Sequence, residues 1–192
     1  MKRALAVIIA CVAAVAAQGG EVASAAIPAC PYARPGPTIG APQKPIGRLI
    51  IGSIGLSTYL YRGRSDEMTE ALSRGPAIYP GFRPYGSLPG QGRVVGIAGH
   101  RTTHRYPFCL LDRVPVGEFI VAKMNYGTFT YRVVRKKVVR DDDWSPFTSP
   151  WSSDPWAEDR SGNQEYLVAA ACTPPHYDSH RIVLIARLVK RS

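Results

Sequence analysis

The fold is decided by the segment Tyr166-Leu-Val-Ala-Ala-Ala-Cys172-Thr-Pro174 and by its neighbour Arg181-Ile-Val-Leu-Ile-Ala186. Both are short aliphatic runs bounded by turn-forming residues, a pattern that predicts buried β-strands. An earlier run, Arg93-Val-Val-Gly-Ile-Ala-Gly-His100, has the same character. Each run carries one reactive residue at its end, a cysteine, an arginine or a histidine. Reactive residues at strand ends predict a chemical site as well as a fold.

Further strand-like segments occupy most of the remaining chain. The pattern predicts strands over 48–56, 58–61, 118–123 and 128–135, a helix over 65–74 and a helical turn over 107–112. The 18 Gly and 17 Pro of the 192 residues supply many turns, and 81–90 is predicted to be a loop. Residues 141–163 are irregular and acidic and hold all three tryptophans. Many short strands with one short helix predict a mostly-β barrel or sandwich.

The N-terminus has the features of an export signal. Two basic residues, Lys2 and Arg3, precede an apolar run over 4–17, and Ala23-Ser-Ala25 offers a cleavage site. We therefore divide the chain into a signal peptide or N-terminal anchor (1–25), a linker rich in Pro, Gly and Ala (26–46) and a folded domain (47–192). The domain is therefore expected to be exported.

The net charge of +10 makes the protein basic, but charge alone does not indicate which class of partner it binds. The basic residues are scattered, and the tightest cluster, Arg135-Lys-Lys137, lies inside a strand-like run. Scattered charge and export both argue against a nucleic-acid partner. A solvated basic surface is the simpler interpretation.

The cysteines leave two interpretations open. Outside the export signal the chain has Cys30, Cys109 and Cys172, an odd number. In an oxidising compartment Cys30 and Cys109 can pair and leave Cys172 as a free thiol. Alternatively, Cys109 is a small buried apolar side chain between Phe108 and Leu110, and its apolar neighbours slightly favour this second interpretation.

The residue types at the strand ends suit thiol-based acyl transfer. A cysteine thiolate is a strong nucleophile, and an imidazolium at His100 can stabilise Cys172 and later protonate a leaving amine. Arg181 keeps its charge and can stabilise an oxyanion. From spacing alone, His176 and His180 remain alternative bases, and a purely structural role for Cys172 remains open. No metal or cofactor is expected, because no second pair of cysteines accompanies Cys172 and His176.

These motifs resemble those of the sortase family, the cysteine transpeptidases of the Gram-positive cell surface. The segment 98–103, with Pro107-Phe108 following, is most similar to class E sortases of actinobacteria, and Cys172-Thr-Pro174 with Arg181 nine residues on is similar to the family's cysteine and arginine motifs. The segments 75–81, 88–90 and 116–118 support the resemblance, which spans about 47–189.

The resemblance implies a closed eight-stranded β-barrel with His100, Cys172 and Arg181 as catalytic residues and Ala98 and Ala171 at the substrate. It implies that Cys172 attacks the threonine carbonyl of a Leu-Pro/Ala-x-Thr-Gly-like sorting signal. Surface proteins carrying that signal, and a peptidoglycan precursor or pilin amine as acceptor, would be the partners.

The chain departs from the family's pattern immediately before the nucleophile. Ala170 and Ala171 stand where a threonine usually precedes the cysteine. Alanine cannot hydrogen-bond through its side chain, so substrate preference is affected more than the nucleophile. Two alternatives therefore remain: a secreted cysteine peptidase with water as acceptor, and a non-enzymatic exported β-barrel that binds a wall component or partner.

Overall fold

The protein is an eight-stranded closed β-barrel, seen in a computed structural model that describes residues 29–63, 66–79, 87–157 and 164–192. Its strands are β2 (Gly47–Ile51), β3 (Leu56–Arg62), β4 (Ala77–Ile78), β5 (Val94–Ala98), β7 (Phe119–Met124), β8 (Gly127–Arg140), β9 (Tyr166–Thr173) and β10 (His180–Arg191). Around the barrel they follow the order β10-β8-β7-β2-β3-β4-β5-β9. Two further two-residue strands, β1 (Arg34–Pro35) and β6 (Thr103–His104), pair outside it. The prediction of a mostly-β protein with a closed eight-stranded barrel is confirmed.

Strand β9 lies at the centre of the packing because both of its faces are buried. Leu167, Ala169 and Ala171 point into the barrel core, which continues through the inward side chains of the other strands. Val168 and Ala170 belong to a second apolar cluster, against which Phe147 and Trp151 pack from outside. A strand covered on both sides needs a continuous apolar run, which explains why this segment does not alternate with polar residues.

The helices are short and lie between strands. Helix α1 (Met68–Arg74) begins three residues later than predicted; Arg64 and Ser65 fall outside the described residues. Met68 and Ala71 face the barrel, and the helix ends where Gly75-Pro76 stops it. The turn expected over 107–112 becomes a 3-10 helix at Leu111–Arg113.

The predicted loop and the tryptophan segment are only partly described. The loop expected over 81–90 is described from 87 onward, and of 141–163 the structure describes residues 141–157. That part contains helix α2 (Ser145–Thr148) and a 3-10 turn at Pro150–Ser153, where the sequence indicated irregular chain.

The segment before the barrel is attached to it by several contacts. The preference for Cys109 as an unpaired buried thiol is wrong: Cys30 and Cys109 form a disulfide across 79 residues of chain. The cysteines meet because β1 pairs in parallel with β6, which brings the N-terminal segment alongside the turn that holds Cys109. The signal peptide or anchor predicted over residues 1–25 lies outside the described residues. Among those described, no helix is long and apolar enough to cross a membrane.

Candidate active site

A cavity of about 290 Å³ opens at one end of the barrel, where three strands meet. All five residues predicted for the site line it: Ala98, His100, Ala171, Cys172 and Arg181. The other lining residues come from α1, α2, β8, β9, β10 and the turns after β4, β5 and β8, namely Leu72, Tyr79, Gly99, Val139, Asp141, Asp143, Trp144, Phe147, Ala170 and Val183. His176 and His180, the alternative bases, are exposed and do not line this cavity.

The topology explains why these residues meet. Strands β5 and β9 are parallel, with Ala98 opposite Ala170, so both strands end at the same edge of the barrel. Strand β10 runs antiparallel to β9 and begins at that edge, with Arg181 directly opposite Cys172. Directly opposed residues on antiparallel strands bring their Cβ atoms to about 5 Å. Residues distant in sequence therefore share one opening.

The turn after β5 places His100 at the cavity. The Gly99 amide donates to the Ala170 carbonyl at 3.1 Å, which extends the β5–β9 pairing, and the Phe108 amide donates to the His100 carbonyl at 3.1 Å. A Cβ atom on Gly99 would lie 2.4 Å from the fully buried Phe108 ring. Only glycine fits this position without moving Phe108.

His100 is partly buried, and its environment disfavours the charged form. Burial, and secondly the charge of the neighbouring His104, lower the pKa of His100 below its usual value near 6.5. The two imidazole rings lie 4.8 Å apart, centroid to centroid. Within the part of the chain that the structure describes, Nε2 of His100 is buried without a hydrogen-bond partner. This nitrogen is therefore not committed to another group of the described chain.

Cys172 and Arg181 are each partly exposed at the opening. Cys172 is the free thiol of the described chain. Nη1 of Arg181 donates to the backbone carbonyls of Asp178 and, at 3.0 Å, of His180. These bonds fix one side of the guanidinium against the turn before β10. Arg181 also lines the cavity, so its guanidinium is a fixed positive charge beside Cys172.

A buried arginine beside His100 was not predicted from the sequence. Arg101 is only 3% exposed, and its Nη1 donates to Oγ1 of Thr173 at 2.6 Å. Nη2 forms an ion pair with Asp112 at 2.8 Å, and Nε donates to the Cys109 carbonyl at 3.3 Å. Buried charges need such partners. The sequence feature that could have pointed to Arg101 is its position directly after His100. Its partners Thr173, Asp112 and Cys109 could not be predicted, because they are distant from it in the sequence.

The walls of the cavity are mostly apolar. The tryptophan segment supplies part of these walls and also packs onto the barrel. Trp144 and Phe147 line the cavity. Trp151 packs against the outer face of β9, and Trp156 is exposed. Asp141 and Asp143 add the acidic groups of the lining.

The arrangement suits acyl transfer. A free thiol, an imidazole and a fixed guanidinium share a partly enclosed apolar opening, which strengthens electrostatic interactions between them. No group of three or more metal-binding side chains comes together in the described ranges.

Comparisons with known proteins agree with this geometry. The family model described as "Sortase domain" matches residues 49–189. No curated protein sequence matches the chain significantly. Sortase E1 from Streptomyces coelicolor, solved with a tripeptide in its active site, is similar in structure with a TM-score of 0.62 and 22% identity, over 77% of this chain and 90% of that one.

Two streptococcal sortases have similar structures. Sortase C from Streptococcus pneumoniae matches with a TM-score of 0.61 and 22% identity over 78% of this chain and 70% of its own. Sortase C1 from Streptococcus agalactiae matches with a TM-score of 0.60 and 24% identity over 76% and 68%. The structural likenesses show the fold, and the family match covers most of the domain. The chain belongs to the sortase family of cysteine transpeptidases.

Proposed function

We propose that this sortase cleaves a Leu-Pro/Ala-x-Thr-Gly-like sorting signal between Thr and Gly and joins the acyl group to a cell-wall or pilin amine. The observation that carries the proposal is the convergence of Cys172, His100 and Arg181 on one cavity. We also propose that the chain is a class E sortase, because its segment 98–103 is similar to that class.

In the first half-reaction the Cys172 thiolate attacks the threonine carbonyl carbon and a carbon–sulfur bond forms. Arg181 donates hydrogen bonds to the oxyanion. The bond to the glycine nitrogen then breaks as the His100 imidazolium gives its proton to the departing amine. The products are a thioester on Cys172, a neutral His100 and a released peptide with a new amino terminus.

In the second half-reaction an acceptor amine attacks the thioester. Neutral His100 takes a proton from the attacking nitrogen, an amide bond forms, and Cys172 leaves as a thiolate. One amide is exchanged for another, so no oxidant, reductant or cofactor is consumed. Because the pKa of His100 is lowered, a smaller share of molecules carries the imidazolium at neutral pH than for an ordinary histidine. Slow turnover is expected.

The location and partners follow from the same proposal. The apolar run over 4–17 would direct the domain to the outer face of the membrane, the cell wall or the medium. Surface proteins with a C-terminal sorting signal and a peptidoglycan precursor or pilin subunit would meet it there. Apolar side chains such as Trp144 and Val183 would contact the aliphatic residues of the signal.

The test is a transpeptidation assay with Leu-Pro-x-Thr-Gly and Leu-Ala-x-Thr-Gly peptides, with and without a primary amine. The expected result is a new amide at the threonine carbonyl that requires the amine and disappears in Cys172→Ala. His176→Asn, which changes an exposed histidine outside the cavity, should retain activity. Hydrolysis alone would identify a cysteine peptidase, and no cleavage of any panel member would favour a binding module.

A further inference from the structure

We propose that His104 is a positioning residue for His100 and that residues 30–37, the N-terminal strap, hold His104 in place. This inference rests on the proposed function, in which His100 transfers protons. The strap precedes the region matched by the family model, which begins at residue 49. The catalytic unit of this chain would therefore extend beyond the barrel into a segment whose composition indicates a linker.

The side chain of His104 is fixed between the strap and His100. Its ring lies 4.8 Å from the His100 ring at an interplanar angle of 38°. Its Nδ1 lies 2.8 Å from the carbonyl oxygen of Pro37. Because a carbonyl oxygen only accepts hydrogen bonds, Nδ1 of His104 carries a proton. This contact fixes both the tautomer and the plane of the ring that packs against His100.

The backbone of His104 is held by the same strap. The Gly36 amide donates to the His104 carbonyl at 3.3 Å, and the Arg34 amide donates to the Thr102 carbonyl at 2.6 Å. His104 has a φ of 53°, in the left-handed region that non-glycine residues rarely occupy. Such a conformation persists where the surroundings determine it.

Two further contacts anchor the strap on the barrel. Cys30 is joined to Cys109 by the disulfide, and the guanidinium carbon of Arg101 lies 5.9 Å from the Tyr32 ring centroid. Arg101 also binds Thr173, next to the nucleophile. The strap is therefore connected to His100 through His104, and to Cys172 through Arg101 and Thr173.

His104 also affects the proton affinity of His100. Its charge adds to burial in lowering the pKa of His100. The other titratable groups that line the cavity with His100 are Tyr79, Asp141, Asp143, Cys172 and Arg181. Two arginines lie close to His104: Arg34, on the paired strand β1, and Arg105, the next residue in the chain. Loss of His104 would leave these groups in place. It would alter the orientation of His100 and raise its pKa.

The full chain offers variants that separate these effects. In His104→Asn the side-chain amide can replace the Nδ1–H donor, and asparagine tolerates positive φ, but the ring and its charge are lost. In Gly36→Ala the new Cβ would lie 3.3 Å from Nδ1 of His104 and press on the ring. His176→Asn is the matched control, because His176 also has positive φ, 72°, but is exposed and outside the cavity. Gly52→Ala controls for the glycine, since its Cβ would contact nothing within 4 Å.

The kinetic test measures kcat and KM across pH. His104→Asn should lower the maximal kcat on the order of ten- to a hundredfold with KM changed less than about twofold, because misplacement of His100 slows the chemical step more than the larger share of imidazolium speeds it. The acidic limb of the pH–rate profile should move to higher pH. Gly36→Ala should lower kcat in the same direction, and both controls should match the native chain. An unchanged kcat and pH profile in His104→Asn would overturn the proposal.

A second readout is independent of activity. Ring nitrogen NMR of the native chain should show His104 protonated at Nδ1, and the His100 titration should move to higher pH in His104→Asn. If the native chain cleaves no sorting peptide, the proposed function fails while this measurement still tests the contact. A His104 ring protonated only at Nε2, or a His100 titration unaffected by the variant, would overturn the positioning role.

Discussion

Arg101 donates a 2.6 Å hydrogen bond to the side chain of Thr173, so the residue after His100 is bonded to the residue after Cys172. This bond joins the β5 turn to the end of β9 across 72 residues of chain. The guanidinium is buried and is also paired with Asp112. It therefore fixes the distance between the two segments that carry the proposed nucleophile and acid.

Thr173→Val should impair both the activity of the enzyme and the stability of its fold. Valine keeps the shape of threonine but leaves Nη1 of Arg101 buried without this acceptor, at a cost of about 1–3 kcal/mol. We expect a fall in kcat/KM on the order of tenfold, measured with a sorting peptide, and a fall in Tm of several degrees. Thr58→Val, on strand β3 away from the cavity, is the control. Equal kinetics for the two variants would contradict this role of Arg101.

Gly99→Ala should displace His100 through Phe108. The new Cβ would lie 2.4 Å from a ring that is fully buried, and such overpacking costs about 1–3 kcal/mol. Activity should fall by at least an order of magnitude while circular dichroism still reports a β-barrel. Gly52→Ala, where the added Cβ meets open space, should behave as the native chain. Native activity in Gly99→Ala would show that the turn tolerates movement of Phe108.

Removal of the disulfide should destabilise the domain. The Cys30–Cys109 bond closes a loop of 79 residues, and disulfides of this kind contribute about 2–4 kcal/mol. The double variant Cys30→Ala/Cys109→Ala should unfold at lower denaturant concentration, and the native chain with reductant should approach the same midpoint. Midpoints that do not differ would mean that the strap adds nothing to the stability of the barrel.

The lowered pKa of His100 makes stability depend on pH. Since its pKa is lower in the folded chain than in the unfolded chain, the unfolded state binds the proton more tightly. The contribution of neutral His100 to the free energy of unfolding is therefore fully present above the ordinary histidine pKa near 6.5. It is lost as pH falls through the lower pKa of His100 in the folded chain. His100→Gln should flatten this part of the curve of unfolding free energy against pH. Parallel curves for the two proteins as pH falls below the ordinary histidine pKa near 6.5 would contradict the burial effect.

Local sequence predicted the barrel well where strands are aliphatic throughout. Strands β9 and β10 are covered on both sides along much of their length, and a continuous apolar run is typical of such strands. The hairpin of β7 and β8 follows from its central turn, and β8 continues past the core segment 128–135 through Val138 and Val139 to Arg140. The pairing of β5 with β9 is parallel and joins distant segments, so no local pattern in the sequence predicted it.

The reactive residues of the site were predicted from the sequence, but the residues that hold them in place were not. His100, Cys172 and Arg181 carry reactive groups that are visible in a sequence, and the structure brings them to one cavity. Arg101, Asp112 and Thr173 act through contacts between distant segments, which no local pattern records. The strap was missed for another reason: Pro- and Gly-rich composition indicates a linker, yet Cys30 and β1 attach it to the barrel.

The central claim is that Cys172 forms a thioester with a sorting signal, and intact-protein mass spectrometry tests it directly. The native chain incubated with a Leu-Ala-x-Thr-Gly or Leu-Pro-x-Thr-Gly peptide should gain the mass of the acyl portion ending at threonine, mapped to Cys172 and released by an amine. Cys172→Ala should show no adduct, and His100→Gln should accumulate far less. An adduct absent from the native chain, or mapped to another residue, would contradict the account.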